Sequence, residues 1–472
     1  MGGGMFRKIL VANRGEIAVR IIRAAHELGI ATVAVYSEAD RESLHVKLAD
    51  EAVCIGPPSS QQSYLNVTRI ISACEITGAD AVHPGYGFLA ENHRFADACE
   101  NSGFRFIGPR PEVIHKMGDK SQAKAVMRAA GVPVTPGSEG IVETVAEARR
   151  LAGELGYPVL LKARDGGGGK GMRLVHRSTE VEAAFRMASA EAVAAFGNGD
   201  LYLEKFIVDP RHIEVQLAGD HQGNVVHFFE RDCSVQRRHQ KLVEESPSPA
   251  LDDEARRSLG AHAVAGAKAV GYSSLGTMEF LLAADGNMYF MEMNARLQVE
   301  HPVTEEATGY DLVRLQIELA DGQPLPMRQE EITLSGCAIE CRINAEDPSK
   351  HFRPCPGEVA FFYPPGGLGV RMDTHVYPGY RISPYYDSLI GKLIVRGPSR
   401  EEALTRMRRA LGELIVEGIE TTIPFHLQVL RNGAFRSGNY TTHLAEAMLK
   451  EAEVPASRSN SLSEVVPPDA ER

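Results

Sequence analysis

Two runs of alternating apolar and polar residues occur between positions 277 and 306, and Asp285-Gly286 separates them. An Asp-Gly pair between two such runs is the strongest short-range signal for a β-hairpin. If Asp285-Gly286 forms the whole loop, the strands pair so that Glu279 lies directly opposite Glu292. Asn294 shares their face, because side chains in a strand repeat every two residues. The sequence therefore predicts two carboxylates and an amide on one face of a hairpin.

Two carboxylates directly across a ladder lie about 5 Å apart and repel each other unless a positive group lies between them. A divalent cation meets this requirement. Glu279, Glu292 and Asn294 offer few but hard oxygen ligands, which suits Mg²⁺, since this ion completes its shell with water and phosphate oxygens. The alternative is an exposed acidic sheet face, and the hairpin alone favours that alternative.

The composition is typical of a multidomain globular protein. A chain of 472 residues is too long for one hydrophobic core and predicts about three domains. The net charge of −11 gives no overall attraction to nucleic acid or to an anionic membrane, so an anion site must be built locally. No apolar run reaches membrane-spanning length. The seven scattered cysteines include no CxxC pair, which favours reduced thiols in the cytoplasm.

The first section of the chain alternates strand and helix patterns. The segment from Phe6 indicates a strand, a tight loop and a helix, and ATVAVYS from Ala31 supplies a second strand, which predicts a βαβ unit. The alternation continues to about Pro109. The loop 13–16 stands where a dinucleotide-binding protein carries GxGxxG, and neither it nor the loop 83–87 matches that pattern. The glycines of these loops form turns or face a substrate, and the sequence leaves both interpretations open.

A glycine-rich segment follows a predicted strand that carries Lys162. The run from Gly166 to Gly171 lacks both the Ser or Thr after Gly-Lys and the helix that a Walker A loop requires. A glycine-rich turn between two strands can instead lay backbone N–H groups over phosphates as a mobile lid, while Lys162 adds a fixed positive charge. The alternative is a flexible hairpin that binds nothing.

Positive charge is concentrated between residues 230 and 244, which include Arg231, Arg237, Arg238, His239 and Lys241. By itself this segment predicts a solvated loop with surface ion pairs. Beside a sheet that bears Glu279 and Glu292, and near a glycine lid, it also fits a site for a magnesium nucleotide and a second anion. A third section begins after Gly336. The residues from 451 have little apolar content and predict a disordered tail.

Eight motifs, in this order along residues 5–450, resemble those of the biotin carboxylases, a branch of the ATP-grasp ligases. They are ANRGEIAVRI, HPGYGFLAEN, MGDK, the lid KA..GGGGKGMR, ERDCSVQRRHQKLVEE, MEMNARLQVEHPVTE, ECRINAEDP and PYYDSLIGKL. The resemblance implies a multidomain fold of α/β and α+β class. The implied parts are an N-terminal βαβ (pre-ATP-grasp) domain at 5–118, an ATP-grasp domain at 119–334 with its lid at about 135–205, a biotin carboxylase C-terminal domain at 335–450, and the tail 451–472.

The resemblance implies the first half-reaction of a biotin-dependent carboxylase. ATP with Mg²⁺ or Mn²⁺ reacts with bicarbonate to give carboxyphosphate, whose CO₂ passes to N1 of carrier-bound biotin. The expected metal ligands are Glu279, Glu292 and Asn294, in agreement with the hairpin argument. The expected nucleotide contacts are Lys120, Lys162, Gly168, Gly169, Glu204, Lys205, Phe206, Ile207, His212, His239, Glu279 and Glu292.

The resemblance also implies the residues that handle bicarbonate and biotin. Glu300 is expected to deprotonate bicarbonate, which requires it to lie within hydrogen-bond reach of the acidic proton. Arg296 is expected to be essential, because a planar guanidinium fits bicarbonate bidentately and keeps its charge. Arg342 is expected to bind biotin and to stabilise its enolate, and Lys241 completes the catalytic set. The expected bicarbonate ligands are Lys241, Arg296, Gln298 and the backbone of Val299.

Arg164-Asp165 departs from the family pattern, in which two small residues such as Ser-Gly often precede the glycine run. An acidic side chain beside a phosphate lid could slow its closure. It could instead pair with Arg164 and have no effect, and we expect activity to be retained.

The sequence contains no Ala-Met-Lys-Met, the usual biotin attachment site, so a separate biotin carboxyl carrier protein and carboxyltransferase subunits are expected. The motifs are most like those of the biotin carboxylase subunit of acetyl-CoA carboxylase, and a cytoplasmic homodimer is expected. Propionyl-CoA, other acyl-CoA and pyruvate remain open as acceptors. One rival is another ATP-grasp ligase that acts through an acyl phosphate, against which Arg342 and PYYDSLIGKL count. A regulatory subunit without catalysis is disfavoured by the complete set of site residues.

Overall fold

The computed structural model describes residues 6–164 and 171–453, and its first domain is built on a five-stranded parallel sheet in the order β3-β2-β1-β4-β5. The central strand reads KILV, and its last three residues are apolar and buried because the strand is covered on both faces. The predicted βαβ opening is confirmed. The strands are β1 (Lys8–Val11), β2 (Ala31–Ser37), β3 (Glu51–Gly56), β4 (Ala81–His83) and β5 (Arg105–Phe106). The helices are α1 (Gly15–Glu27), α2 (Leu44–Leu48), α3 (Val67–Thr77), α4 (His93–Asn101) and α5 (Pro111–Gly118).

The two glycine-containing loops of this domain follow β1 and β4 and pack against each other. The side-chain amide of Asn13 donates to the carbonyls of Pro84 and Tyr86, both at 2.7 Å. Gly15 and Gly85 have φ of +69° and +62°, and a Cβ at Gly85 would lie only 3.0 Å from Asn13 Nδ2. The loops therefore form one rigid edge at the carboxyl ends of parallel strands, where open α/β sheets bind ligands.

The second section contains a small three-stranded antiparallel sheet in the order β7-β6-β8, which lies within residues 135–205, where the lid is expected. Its elements are α6 (Lys120–Ala129), α7 (Val145–Leu155), β6 (Val159–Ala163), β7 (Met172–Val175), α8 (Val181–Phe196) and β8 (Leu201–Lys205). Apolar side chains of β6 and β8 meet those of α7 in a separate core. Asp165 and the expected phosphate contacts Gly168 and Gly169 lie outside the described residues.

An eight-stranded sheet in the order β13-β12-β9-β10-β11-β14-β19-β18 joins the second and third sections. The segment 230–244 is part of it, so the predicted solvated loop is wrong: Arg231 is fully buried. The strands from the second section are β9 (Arg211–Gly219), β10 (Val225–Arg237), β11 (Gln240–Ser246), β12 (Ser274–Leu282) and β13 (Met288–Asn294). Its helices are α9 (Asp253–Ala269), α10 (His301–Thr308) and α11 (Leu312–Ala320).

The predicted hairpin is present and pairs Glu279 with Glu292, but its predicted two-residue loop is wrong. The N–H of Ala283 donates to the carbonyl of Asn287 at 2.9 Å, so the loop has three residues, 284–286. The last of these is a glycine with φ of +84°, as three-residue hairpin loops favour. A register shift immediately after Glu279 cancels the offset that the longer loop introduces. Glu279 therefore lies opposite Glu292 as predicted, but through a three-residue loop and a register shift rather than through a two-residue loop.

The third section supplies the other strands of the large sheet and the C-terminal helices. Its strands are β14 (Cys337–Asn344), β15 (Glu346–Asp347), β16 (Arg353–Pro354), β17 (Phe361–Tyr363), β18 (Val370–Thr374), β19 (Leu389–Gly397) and β20 (Ile415–Glu417). Its helices are α12 (Arg400–Glu413), α13 (Ile423–Val429), α14 (Gly433–Arg436) and α15 (Leu444–Glu453). Helices α1 and α10 pack on β19.

The last helix extends three residues into the expected tail, whose remaining residues 454–472 lie outside the part of the chain that the structure describes. Within residues 6–164 and 171–453, no helix combines the length and hydropathy that a membrane span requires.

Candidate active site

One row of charged side chains crosses four adjacent strands of the eight-stranded sheet. Arg231 of β10 lies opposite Glu214 of β9. Glu279 of β12 lies between Glu214 and Glu292 of β13 in the same register. Three carboxylates thus stand side by side on one sheet face, an arrangement that is stable only with compensating positive charge.

Lys241 of β11 supplies much of that charge. Its Nζ lies 2.6 Å from Glu214 Oε2, 2.9 Å from Glu279 Oε1 and 2.6 Å from Glu300 Oε1. Burial lowers the pKa of Lys241, but the three carboxylates raise it more, so the pKa lies well above its usual value. Burial raises the pKa of Glu279, but Lys241 and His212 outweigh it and hold the pKa below the usual range. Lys241 and Glu279 are therefore both charged at neutral pH.

Arg231 supports the row from inside the protein. Its Nε donates to Glu214 Oε1 at 2.5 Å, and its Nη1 donates to Gln216 Oε1 at 2.7 Å and to Thr304 Oγ1 at 2.9 Å. Burial raises the pKa of Glu214, but Lys241 and Arg231 lower it more, to well below its usual value. Glu214 is therefore a permanently anionic link between two buried cations.

The turn after β13 carries residues that are expected to bind bicarbonate. Arg296 Nε donates to Glu91 Oε2 at 2.7 Å, and its Nη1 donates to Gln298 Oε1 at 2.9 Å. Its Nη2 donates to Asn294 Oδ1 at 3.0 Å. The guanidinium is thus held in one orientation beside the end of the strand. The turn ends at Glu300, the residue before the first turn of α10.

Glu300 lies between two cations. Its Oε1 accepts from Lys241, and its Oε2 accepts from Arg342 Nη2 at 2.9 Å. Burial and the Glu214 carboxylate raise the pKa of Glu300, but Lys241 and Arg342 lower it more, to below its usual value. Arg342 Nε also donates to Glu244 Oε1 at 2.6 Å, and burial, only partly offset by Arg342, raises the pKa of Glu244 to about 7. The carboxyl group of Glu300 is therefore ionised at neutral pH, whereas that of Glu244 titrates near neutrality.

On the lid side, two lysines contact one carboxylate. Lys162 Nζ of β6 lies 2.6 Å from Glu204 Oε2 of β8, and Lys124 of α6 contacts the other oxygen. Burial raises the pKa of Glu204, but the two lysines lower it more, to below the usual value. The structure thus brings the expected nucleotide residues Lys162 and Glu204 together and adds Lys124 to them.

The other expected nucleotide residues are more dispersed. Lys120 Nζ lies 3.4 Å from Glu292 Oε2, which connects the start of α6 to the carboxylate row. His212 Nε2 lies 3.2 Å from Glu279 Oε2. Lys205 Nζ instead donates to the carbonyls of Gly156 and Tyr157 within the lid section. His239 is exposed in the turn between β10 and β11, and Phe206 and Ile207 follow β8 and are half-buried.

The residues expected to hold a divalent cation fit that ion in their chemistry. Glu279 and Glu292 are adjacent across the ladder, and two carboxylates of this kind are typical magnesium ligands. The Asn294 amide donates through Nδ2 to Glu279 Oε1 at 3.0 Å, while its Oδ1 accepts from Arg296. The amide oxygen of Asn294 is thus oriented by Arg296, and it lies on the strand two residues after Glu292.

Several residues at the site were missed from the sequence. Glu214 carries a recognisable signal, since HIEVQ alternates polar and apolar residues in a strand and places Glu214 on one face with His212. Glu91 and Glu244 reach the site only through tertiary contacts with Arg296 and Arg342. Lys124 and Lys392 are further members of this group.

Three family descriptions together match most of the chain. Residues 5–114 match the N-terminal domain of biotin carboxylase, and residues 340–447 match its C-terminal domain. Residues 119–328 match the ATP-binding domain of the carbamoyl-phosphate synthase L chain. Biotin carboxylase 1 of Bacillus subtilis is 57% identical over 443 residues, which are 94% of this chain and 98% of that protein. The chain belongs to the biotin carboxylase family.

Two further relatives agree with the family. The biotin carboxylase of Pseudomonas aeruginosa is 54% identical over 446 residues, or 94% of this chain and 99% of that protein. The solved biotin carboxylase domain dimer of the Hydrogenobacter thermophilus 2-oxoglutarate carboxylase, in complex with MgADP, ADP and bicarbonate, has a TM-score of 0.88 and 53% identity, covering 94% of this chain and 98% of that one. This biotin carboxylase is thus an ATP-grasp ligase with the expected three-domain architecture.

Proposed function

We propose that this biotin carboxylase uses ATP and bicarbonate to carboxylate biotin on a separate carrier protein, through carboxyphosphate. The reaction is the first half of the reaction of acetyl-CoA carboxylase, in fatty acid synthesis, or of another acyl-CoA carboxylase. The observation that carries the proposal is the position of Glu300, whose two oxygens contact Lys241 and Arg342. One base thus lies between the residue expected to hold bicarbonate and the residue expected to hold biotin.

In the first step, bicarbonate binds to Lys241, Arg296, Gln298 and the backbone N–H of Val299. The guanidinium of Arg296 is already oriented by Glu91, so little side-chain freedom is lost on binding. Glu300 takes the bicarbonate proton, since its lowered pKa leaves it ionised at neutral pH. A bicarbonate oxygen then attacks the γ-phosphorus of ATP, and the bond from that phosphorus to ADP breaks.

The nucleotide lies under the lid in this proposal. Lys120, Lys162 and the lid glycines Gly168 and Gly169 hold its phosphates, and Glu204, Lys205, Phe206 and Ile207 line the adenine, with His212 and His239 nearby. Glu279 and Glu292, joined by Asn294, hold Mg²⁺ or Mn²⁺, which neutralises charge on the phosphates when it is bound. Lys162 also contacts Glu204, and because an ammonium has three donors it can keep this contact while it binds a phosphate.

In the second step, carboxyphosphate decomposes to CO₂ and phosphate. Phosphate takes the proton from N1 of biotin, Arg342 stabilises the biotin enolate, and N1 forms a bond to the carbon of CO₂. The positive charge of Arg342 is suited to this task because the enolate oxygen is negative. A closed lid excludes water, which would otherwise hydrolyse carboxyphosphate.

The proposed partners are a biotin carboxyl carrier protein and carboxyltransferase subunits, and the chain is proposed to act as a cytoplasmic homodimer. A solved relative is a dimer, which supports the proposed homodimer. All seven cysteines are free thiols, which supports the proposed location in the cytoplasm. Relatives belong to 2-oxoglutarate and pyruvate carboxylases, so the acceptor depends on the transferase rather than on this chain. The proposed domain limits are 5–118, 119–334 and 335–450.

The proposal is tested by the release of ADP from the purified chain with MgATP, in the presence and absence of bicarbonate and free biotin. We expect turnover that depends on bicarbonate, increases with biotin and is lost in Arg296→Ala and Glu300→Gln. Nucleotide binding without bicarbonate-dependent turnover, under conditions in which the Bacillus subtilis enzyme is active, would instead support another ATP-grasp ligase with a different acid as substrate.

A further inference from the structure

Lys392 is a fully buried lysine in the third section, within the motif PYYDSLIGKL. It lies on β19 directly opposite Arg342 of β14. A buried ammonium is costly unless it is paired and hydrogen-bonded, so the partners of Lys392 explain why it is there. The reaction steps described above do not use this residue.

The contacts of Lys392 join all three sections of the chain. Its Nζ donates to the carbonyl of Val299 in the second section at 2.8 Å. The same atom lies 3.0 Å from Glu16 Oε1 at the start of α1 in the first section. The hydroxyl of Tyr86 donates to that same Glu16 oxygen. One ammonium therefore ties the turn after β13 to the rigid loops of the N-terminal domain.

The carbonyl of Val299 belongs to the peptide unit whose N–H is that of Glu300. Because a peptide unit is planar, a hydrogen bond to this carbonyl sets the orientation of the whole unit. The preceding unit ends in the N–H of Val299, which is expected to hold bicarbonate. Lys392 thus contacts the backbone between a proposed bicarbonate donor and the proposed base.

Two other acidic residues lie near Lys392, and neither forms a hydrogen bond with its ammonium. Asp373 lies opposite Lys392 on β18, but both of its oxygens accept from Arg371, at 2.8 and 2.7 Å. Glu340 is fully buried near Lys392, and neither of its oxygens has a hydrogen-bond partner among the described residues. The ammonium therefore contacts Val299 although a second buried carboxyl group is available.

We propose that Lys392 is a positioning residue for the bicarbonate step. It holds the Val299–Glu300 peptide so that the base and the backbone donor face the same bicarbonate, and it transmits the position of the N-terminal domain to this turn through Glu16. The inference rests on the proposed function, since it assigns a role within that reaction. It predicts that loss of Lys392 impairs the use of bicarbonate and leaves the binding of ATP intact.

The test compares Lys392→Met with the parent in steady-state assays that vary bicarbonate and ATP separately. A displacement of about 1 Å at a reacting group reduces rate by about 10²-fold, so kcat/KM for bicarbonate is expected to fall by about that factor. The KM for ATP is expected to change by less than about threefold, because the proposed phosphate ligands Lys120 and Lys162 lie elsewhere. The inference would be overturned if kcat/KM for bicarbonate did not fall, or if the KM for ATP rose by a similar factor.

Lys8→Met is the matched control. The Nζ of Lys8 also joins a carboxylate and a carbonyl, those of Glu51 at 2.6 Å and Thr77 at 2.7 Å, but within the N-terminal domain. This variant is expected to retain both kinetic parameters.

If Lys392→Met does not fold, Lys392→Arg decides by the same criterion. The longer guanidinium keeps the charge but cannot place a donor at the position of Nζ, so we expect a bicarbonate-selective loss of at least about threefold. An unchanged kcat/KM for bicarbonate, or a comparable rise in the KM for ATP, would refute the inference. A parent chain without bicarbonate-dependent turnover would instead refute the proposed function itself, so the two failures are distinguishable.

Discussion

Replacing Arg231 with methionine tests whether the buried charge row stabilises the central sheet. The arginine side chain is fully buried and pairs with Glu214 at 2.5 Å. Methionine fills similar space but leaves the Glu214 carboxylate with one counter-charge fewer, and breaking a buried pair in this way costs about 3–5 kcal/mol. Since 1 kcal/mol shifts the melting temperature of a domain of 150–250 residues by about 2–4 °C, we expect a decrease of roughly 6–20 °C. Differential scanning calorimetry without nucleotide measures it.

The control is Arg150→Met, which removes the same charge from the surface of α7. Arg150 pairs with Glu154 one helical turn away at 2.8 Å, and more than half of each side chain is exposed. Exposed pairs of this type contribute about 0.3–0.5 kcal/mol, so the melting temperature should change by no more than about 2 °C. Equal shifts in the two variants would refute the claim that burial gives the Arg231 pair its importance.

Three other substitutions have expected outcomes. Glu214→Gln removes a carboxylate that raises the pKa of Glu300, so Glu300 should become a weaker base and the plateau of kcat/KM for bicarbonate should fall. An unchanged plateau would contradict this coupling. Glu292→Gln should raise the Mg²⁺ concentration for half-maximal turnover roughly tenfold, as measured by titration after EDTA treatment. Burial lowers the pKa of His212, but Glu279 outweighs it and raises the pKa from 6.5 to about 9. The ion pair therefore contributes its full stability below pH 6.5, and this contribution is lost as the pH rises through about 9. His212→Gln, measured in EDTA, should therefore lose roughly 2–3 kcal/mol of stability at pH 6 and little at pH 10, and a loss independent of pH would show that the charge is not involved.

The hairpin that carries Glu279 and Glu292 is only partly predictable from the sequence. A two-residue loop at Asp285-Gly286 predicts that Glu279 lies opposite Glu292, and period-two alternation places Asn294 on the same face. The loop was predicted one residue too short, because Asp-Gly favours a two-residue turn whereas the chain uses residues 284–286. The compensating register shift depends on packing against neighbouring strands, and no local sequence signal indicates it.

Long-range contacts account for most of what the sequence did not reveal. Glu91 meets Arg296 although 205 positions separate them, and neither segment indicates the other. Taken by itself, the positive charge around Arg231 predicts a solvated loop, because charged residues are usually exposed. Its burial follows from the carboxylates that adjacent strands place beside it, which only the strand order of the sheet determines.

The central claim is that a bicarbonate oxygen attacks the γ-phosphorus of ATP after Glu300 removes its proton. The most direct measurement uses ¹⁸O-labelled bicarbonate, free biotin and MgATP, and determines the label in the released phosphate before bicarbonate exchanges its oxygens with water. The account predicts one ¹⁸O atom per phosphate released by the parent chain and no such phosphate above background from Glu300→Gln. Phosphate that carries oxygen from water instead would contradict the account, because ATP would then be cleaved by hydrolysis without carboxyphosphate.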